Sequence, residues 1–176
     1  MPASMAENIR KTLRVIPDYP NPGIMFQDIT PVLNDSGLFR QVRETLAEPF
    51  RGAGITHVVG IEARGFILAA PVAVTLNAGF IPLRKPGKLP WKTLREEYQL
   101  EYGTDALEAH QDACPVGARI LIVDDVLATG GTAEAAGSLV RHLGGDLVGW
   151  SFLMAISALN GVGRLKGAPS HIVIEL

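Results

Sequence analysis

The stretch ILIVDDVLATGGTAEAA, residues 120–136, decides the fold. Four apolar residues run without alternation into two adjacent aspartates, Asp124 and Asp125. A turn of small residues follows, and then a helical pattern with Ala133, Ala136, Val140 and Leu143 on one face. An apolar run without alternation is a strand buried on both sides, as in a parallel sheet covered by helices.

Working outward, the same alternation recurs. Strands are expected at 57–61, 80–83, 119–123, 147–156 and 171–175. Helices are expected at 65–77, closed by Gly79, and at 132–143, closed by Gly144 and Gly145. Ser4 can cap a first helix running to about Arg14. Residues 16–33 carry four prolines and read as loop with short extended pieces. Ser36 is expected to cap a further helix, with Leu38, Phe39, Val42, Leu46 and Phe50 at helical spacing. Strands alternating with helices predict an α/β fold with a central, mainly parallel sheet flanked by helices. Ligands of such sheets sit at the carboxyl ends of the strands. Asp124-Asp125 and the segment EARG, residues 62–65, both follow strands and are expected to share one cleft.

Composition narrows the classes. A chain of 176 residues fits one domain, large enough to bury a core without staples. Hydrophobic residues make up 47% and charged residues 19%, against disorder. A net charge of −2 gives no whole-protein attraction for nucleic acid or an anionic membrane. A single cysteine, Cys114, excludes an internal disulfide, and it sits before a proline with no evident base. The N-terminus has no apolar signal core, and the longest apolar run, 65–78, is broken by Pro71, Thr75 and Asn77. The expectation is a cytoplasmic protein. His57, His110, His142 and His171 have no metal-ligand spacing and read as structural or surface residues.

The turn itself carries chemistry. Ala128, Thr129, Gly130, Gly131 and Thr132 offer backbone amides, two hydroxyls and a helix N-terminus, which together suit a phosphate monoester. Asp124 and Asp125 would repel phosphate but accept hydrogen bonds from hydroxyls, or bind a metal ion. Hydroxyls beside a phosphate suggest a ribose phosphate. No G-x-x-x-x-G-K-[ST] occurs, and Gly161-Val-Gly163 lacks the dinucleotide spacing and a preceding strand end.

VDDVLATGGT resembles the phosphoribosyl diphosphate (PRPP) motif of type I phosphoribosyltransferases. IPDYPNPGIMFQDITPVL, VVGIEARGFILAAPVA, RKPGKLP and EYQLEYG resemble segments of the adenine-specific branch of that family, and together the likeness spans residues 16–156. The resemblance implies the type I phosphoribosyltransferase fold, with an N-terminal hood over residues 1–33 and a flexible lid loop over 85–103. It implies adenine plus PRPP giving AMP and pyrophosphate, with Mg²⁺ held mainly by PRPP and waters, in a homodimer. Rival readings are a hypoxanthine or guanine transferase, and a non-catalytic PRPP-sensing regulator that binds nucleic acid.

Residue by residue, the resemblance places the turn on the 5-phosphate, and Asp124 and Asp125 on the ribose hydroxyls. Carboxylates there also suit an oxocarbenium-like sugar. Arg64, and the cluster Arg84, Lys85 and Lys88, are expected to face the pyrophosphate, Arg84 because it ends an apolar strand. Phe26 would stack on the purine, and the backbones of Met25 and Gln27 would bond its edge. Gln27 departs from relatives that carry arginine there, which matters little for a backbone contact. Glu101 is the candidate for proton traffic at the adenine, with Tyr102 closing over PRPP. Trp91 lies in the lid, which would exclude water from the activated sugar.

Overall fold

Five strands carry the core: β3 (His57–Ile61), β4 (Gly79–Leu83), β7 (Arg119–Leu127), β8 (Asp146–Ala155) and β9 (Ser170–Glu175). They form one sheet in the order β4-β3-β7-β8-β9, every pairing parallel. The computed structural model describes residues 4–99 and 103–176. Helices α1 (Met5–Thr12), α2 (Thr30–Asn34), α3 (Ser36–Ala47), α4 (Arg64–Thr75) and α5 (Gly131–His142) cover the sheet. Two antiparallel hairpins form sheets of their own, β1 (Arg14–Pro17) with β2 (Met25–Asp28), and β5 (Thr93–Gln99) with β6 (Thr104–His110), the latter bridged to the end of β4 through Arg84 and Glu108.

Strand β7 explains the unbroken apolar run. Ile120 and Ile122 point into a cluster shared with α5, Tyr98 and Leu107. Leu121 and Val123 point the other way, into a cluster built from α1, α3 and α4. All four are completely buried, so neither face tolerates a polar residue. On the second face Ser151 Oγ donates to Leu46 O at 2.9 Å, tying the sheet to α3.

The strands follow the sequence reading within a residue or so, except β7. It was expected to stop at Val123 but continues to Leu127, so both aspartates lie inside a strand. Its pairing with β3 ends at Gly60 with Val123, while its pairing with β8 continues through Asp124 with Phe152 to Leu127 with Ala155. Residues 124–127 therefore overhang the sheet on the β3 side, and that gap is where the cleft opens.

Other differences have local causes. The first helix ends at Thr12, because Leu13 is extended and Arg14 already pairs in β1. The proline-rich segment holds the β1–β2 hairpin and α2. Residues 93–99 of the expected lid loop are strand β5, paired along their whole length with β6. The N-cap of α3 is Asp35 rather than Ser36. Its carboxylate accepts from Gly37 N and Leu38 N, both at 2.9 Å. Among the described residues no helix is long and apolar enough to cross a membrane.

The cap assignment is testable. Asp35→Ala should cost about 1 kcal/mol and lower Tm by about 2–4 °C in a thermal melt. Ser36→Ala should leave Tm within error. The reverse ranking would return the cap to Ser36.

Candidate active site

A cavity of about 470 Å³ opens at the carboxyl ends of β3 and β7, lined among others by Phe26, Arg64, Lys85, Asp124, Asp125 and the turn 128–132. The turn leaves β7 and enters α5 at Gly131, with Gly130 as N-cap at φ +85° and no side chain capping the helix. The first amides of α5 are thus left for a ligand, at the positive end of the helix dipole. Glycine at 130 is required twice. Its φ is left-handed, and a Cβ there would lie 2.6 Å from Gly161 O. A Cβ on Gly161 would in turn collide with Ala128 O. The turn is therefore packed backbone to backbone on the segment 161–164. Gly161 lacks the spacing of a dinucleotide glycine, and nothing local in the sequence marks it as the support it is.

The two carboxylates differ. Asp124 is half-buried, and its Oδ1 accepts from Asp125 N at 2.9 Å. It lies so close to the start of α4 that a Cβ on Gly65 would collide with that oxygen. Asp125 is buried, with Oδ2 2.8 Å from Arg64 Nε. The guanidinium N–H is not aimed at that oxygen, which has no hydrogen-bond partner. Burial, and then the charge of Asp125, push the Asp124 carboxyl well above its ordinary value. Burial also raises Asp125, with Arg64 opposing. Two crowded carboxylates in this setting favour hydroxyl donors or a cation. Among the described residues no cluster of three or more His, Cys, Asp or Glu could cage a metal ion. An ion here would rely mainly on oxygens from a ligand and water, since Asp125 Oδ2 already faces the Arg64 guanidinium.

Arg64 also reaches the aromatic side of the cavity, with Cζ 4.9 Å from the Phe26 ring centroid. Tyr19, which the sequence reading passed over, meets Phe26 edge-on at 5.1 Å and 74°. Only Phe26 of the three expected base contacts lines the cavity. The Met25 side chain is exposed, and Gln27 Nε2 donates to Met25 O at 3.3 Å. The backbone of β2 pairs with β1 alone, which leaves its other edge unpaired among the described strands.

The basic cluster is not arranged as expected. Arg84 does not point into the cleft: its Nη2 and Nε donate to Glu62 at 3.1 and 3.2 Å, and its Nη1 donates to Lys88 O at 2.9 Å. The cause is register. Ile61 pairs with Leu83 in parallel strands, so the next residues, Glu62 and Arg84, become neighbours. Lys88 is exposed, and neither it nor Arg84 lines the cavity. Lys85 does, and its Nζ meets Asp105 and donates to Tyr98 Oη at 3.0 Å. Burial pulls the Lys85 ammonium down, but those two partners outweigh it and raise it overall. Arg84 and the Lys85 amide together hold the Glu62 carboxyl below its ordinary value. Glu62, Tyr98 and Asp105 are the partners that sequence reading missed, since each pairing spans a fold contact. The Glu62–Ala63 peptide just before Arg64 is cis. None of the four histidines lines the cavity, and Cys114 is half-buried against the core with its thiol raised by burial. Glu101 and Tyr102 lie outside the described residues.

Residues 30–160 match the family model described as phosphoribosyl transferase domain. An adenine phosphoribosyltransferase of Myxococcus xanthus is 56% identical over 162 residues, covering 92% of this chain and 88% of that protein. The crystal structure of adenine phosphoribosyltransferase from Rhodothermus marinus superposes with a TM-score of 0.94 at 53% identity, covering 98% of each chain. That of the Saccharomyces cerevisiae enzyme, complexed with an imino-altritol bisphosphate and adenine, gives 0.91 at 37% identity, covering 98% of this chain and 99% of that one.

The crowded carboxylates predict a pH signature. An acid whose folded pKa is raised binds more protons folded than unfolded, so stability falls as pH rises from its ordinary value near 3.8 through the raised one. Asp124→Asn removes that cost and should raise Tm at pH 7 by about 2–4 °C. The gap to wild type should close as pH is lowered towards 4, in melts at stepped pH. A variant less stable than wild type at pH 7 would contradict this account of Asp124.

Proposed function

The chain belongs to the phosphoribosyl transferase family, in its adenine phosphoribosyltransferase branch, and from that premise we propose how its residues divide the work. It transfers the 5-phosphoribosyl group from PRPP to N9 of adenine, releasing pyrophosphate and forming AMP. One observation carries the division of labour: a single cavity gathers an uncapped helix N-terminus, two crowded carboxylates and an aromatic ring.

In this reading Ala128, Thr129, Gly130, Gly131 and Thr132 hold the 5-phosphate. Asp124 and Asp125 accept from the ribose hydroxyls. Positive charge grows on the sugar as the bond to pyrophosphate breaks, and the same carboxylates are placed to stabilise it. Their raised pKa values reflect a site without that charge. Arg64 and Lys85 meet the leaving pyrophosphate, while Arg84 and Lys88 act at one remove by fixing Glu62 and the chain around Lys85. Mg²⁺ would neutralise the polyphosphate, held mainly by PRPP oxygens and waters. Phe26 takes the purine face, and the unpaired edge of β2 offers the Met25 and Gln27 backbones for its edge. Glu101 handles the proton lost from adenine, and Tyr102 closes over PRPP.

The proposal includes a cytoplasmic homodimer that binds neither membrane nor nucleic acid. Ile67 and Val74, two turns apart on α4, are exposed together with Phe80, and suit contact with a second copy.

The test is a base panel. Protein with PRPP and Mg²⁺ is offered adenine, hypoxanthine, guanine, xanthine and orotate in turn, and nucleotide is measured by chromatography. AMP from adenine alone is expected. Turnover of hypoxanthine or guanine would move the chain to another branch, and PRPP binding without turnover would favour a non-catalytic regulator.

A further inference from the structure

The cations at the cavity are already engaged with carboxylates. Arg64 is paired with Asp125 and Lys85 with Asp105, and just outside the cavity Arg84 is paired with Glu62. A polyanionic ligand must therefore draw a cation away from a carboxylate. The three pairs are not equally exchangeable. Arg84 presents two donors to Glu62 and does not line the cavity. Asp125 is buried and belongs to the ribose side. Lys85 is a point charge on a flexible stem, and its partner lies outside the cavity wall on β6.

Asp105 is also provided for when Lys85 leaves. Its Oδ1 accepts from Ala106 N at 2.8 Å. Its Oδ2 is 3.3 Å from the hydroxyl of Tyr98, the residue directly opposite it in the β5–β6 hairpin. That hydroxyl now accepts from Lys85. Once freed, it can donate fully to Asp105. The released carboxylate then keeps two hydrogen bonds, which lowers the cost of exchange.

We propose that Asp105 is a positioning residue that holds Lys85 in reserve and competes with pyrophosphate for it. The inference rests on the functional reading above, in which Lys85 meets the pyrophosphate. Competition of this kind weakens binding of the polyanion and favours its release.

The test is calorimetric titration of inorganic pyrophosphate with Mg²⁺ into the whole protein. Asp105→Asn keeps the size and the Ala106 contact but loses the charge. It should tighten pyrophosphate binding by about three- to tenfold, the scale of a partly exposed ion pair. KM for PRPP should fall in step. Asp105→Ser, which keeps a hydroxyl acceptor, should change Kd in the same direction. In a Lys85→Met background, Asp105→Asn should have no effect, which a merely structural role would not produce. Unchanged or weaker binding in Asp105→Asn, or an equal effect without Lys85, would overturn the inference. Failure of the wild-type protein to bind pyrophosphate at all would overturn both it and the functional reading.

Discussion

The site depends on a mismatch between two neighbouring strands. β7 runs four residues beyond its last pairing with β3, while β8 stays with it to Leu127. Parallel strands are joined by helical crossovers, so a strand that outruns its neighbour leaves room between a strand end and a helix start. Asp124 and Asp125 lie on that overhang, facing the start of α4 and Arg64. The turn that follows is free to lie over the cavity and is held there by backbone contact with Gly161. Had β3 been as long as β7, a paired strand would fill the space that the ligand needs.

Charge is arranged around that space in opposed pairs. Asp124 and Asp125 are crowded and partly desolvated, so their charged form costs free energy that Arg64 offsets only in part. Elsewhere around the cavity Lys85 meets Asp105, and just outside it Arg84 meets Glu62. A site built this way is electrostatically strained on one side and self-neutralised on the other. In the proposed division of labour, substrate relieves the first and draws only Lys85 from the second. Tight binding of a departing polyanion would slow turnover, and the proposed competition of Asp105 for Lys85 would counter it.

The legible parts of the sequence were those whose physics is local. An apolar run without alternation means burial on both faces wherever it occurs, and β7 proved to be packed on both sides. Small residues before a helix mean free amides, and Gly130 and Gly131 proved to open α5 without a cap. Family resemblance in four segments added the reaction, and the relatives bear it out. The misread parts were those where a residue's role is decided by a distant partner. Arg84 looked like a cleft cation because it ends a strand. Its orientation was decided by Glu62, 22 residues earlier in the chain.

By itself, then, the sequence determined the α/β class, the order of most strands and helices, the phosphate-type turn and the carboxylate pair. Periodicity, turn chemistry and residue type act over a few residues and need no knowledge of packing. Tertiary structure alone decided how far β7 extends past β3, that Gly161 supports the turn, and which cations line the cavity. It also decided that Lys85 meets Asp105 and Tyr98. These follow from register and packing between segments far apart in the chain. Parallel pairing aligns strand ends that no local pattern relates.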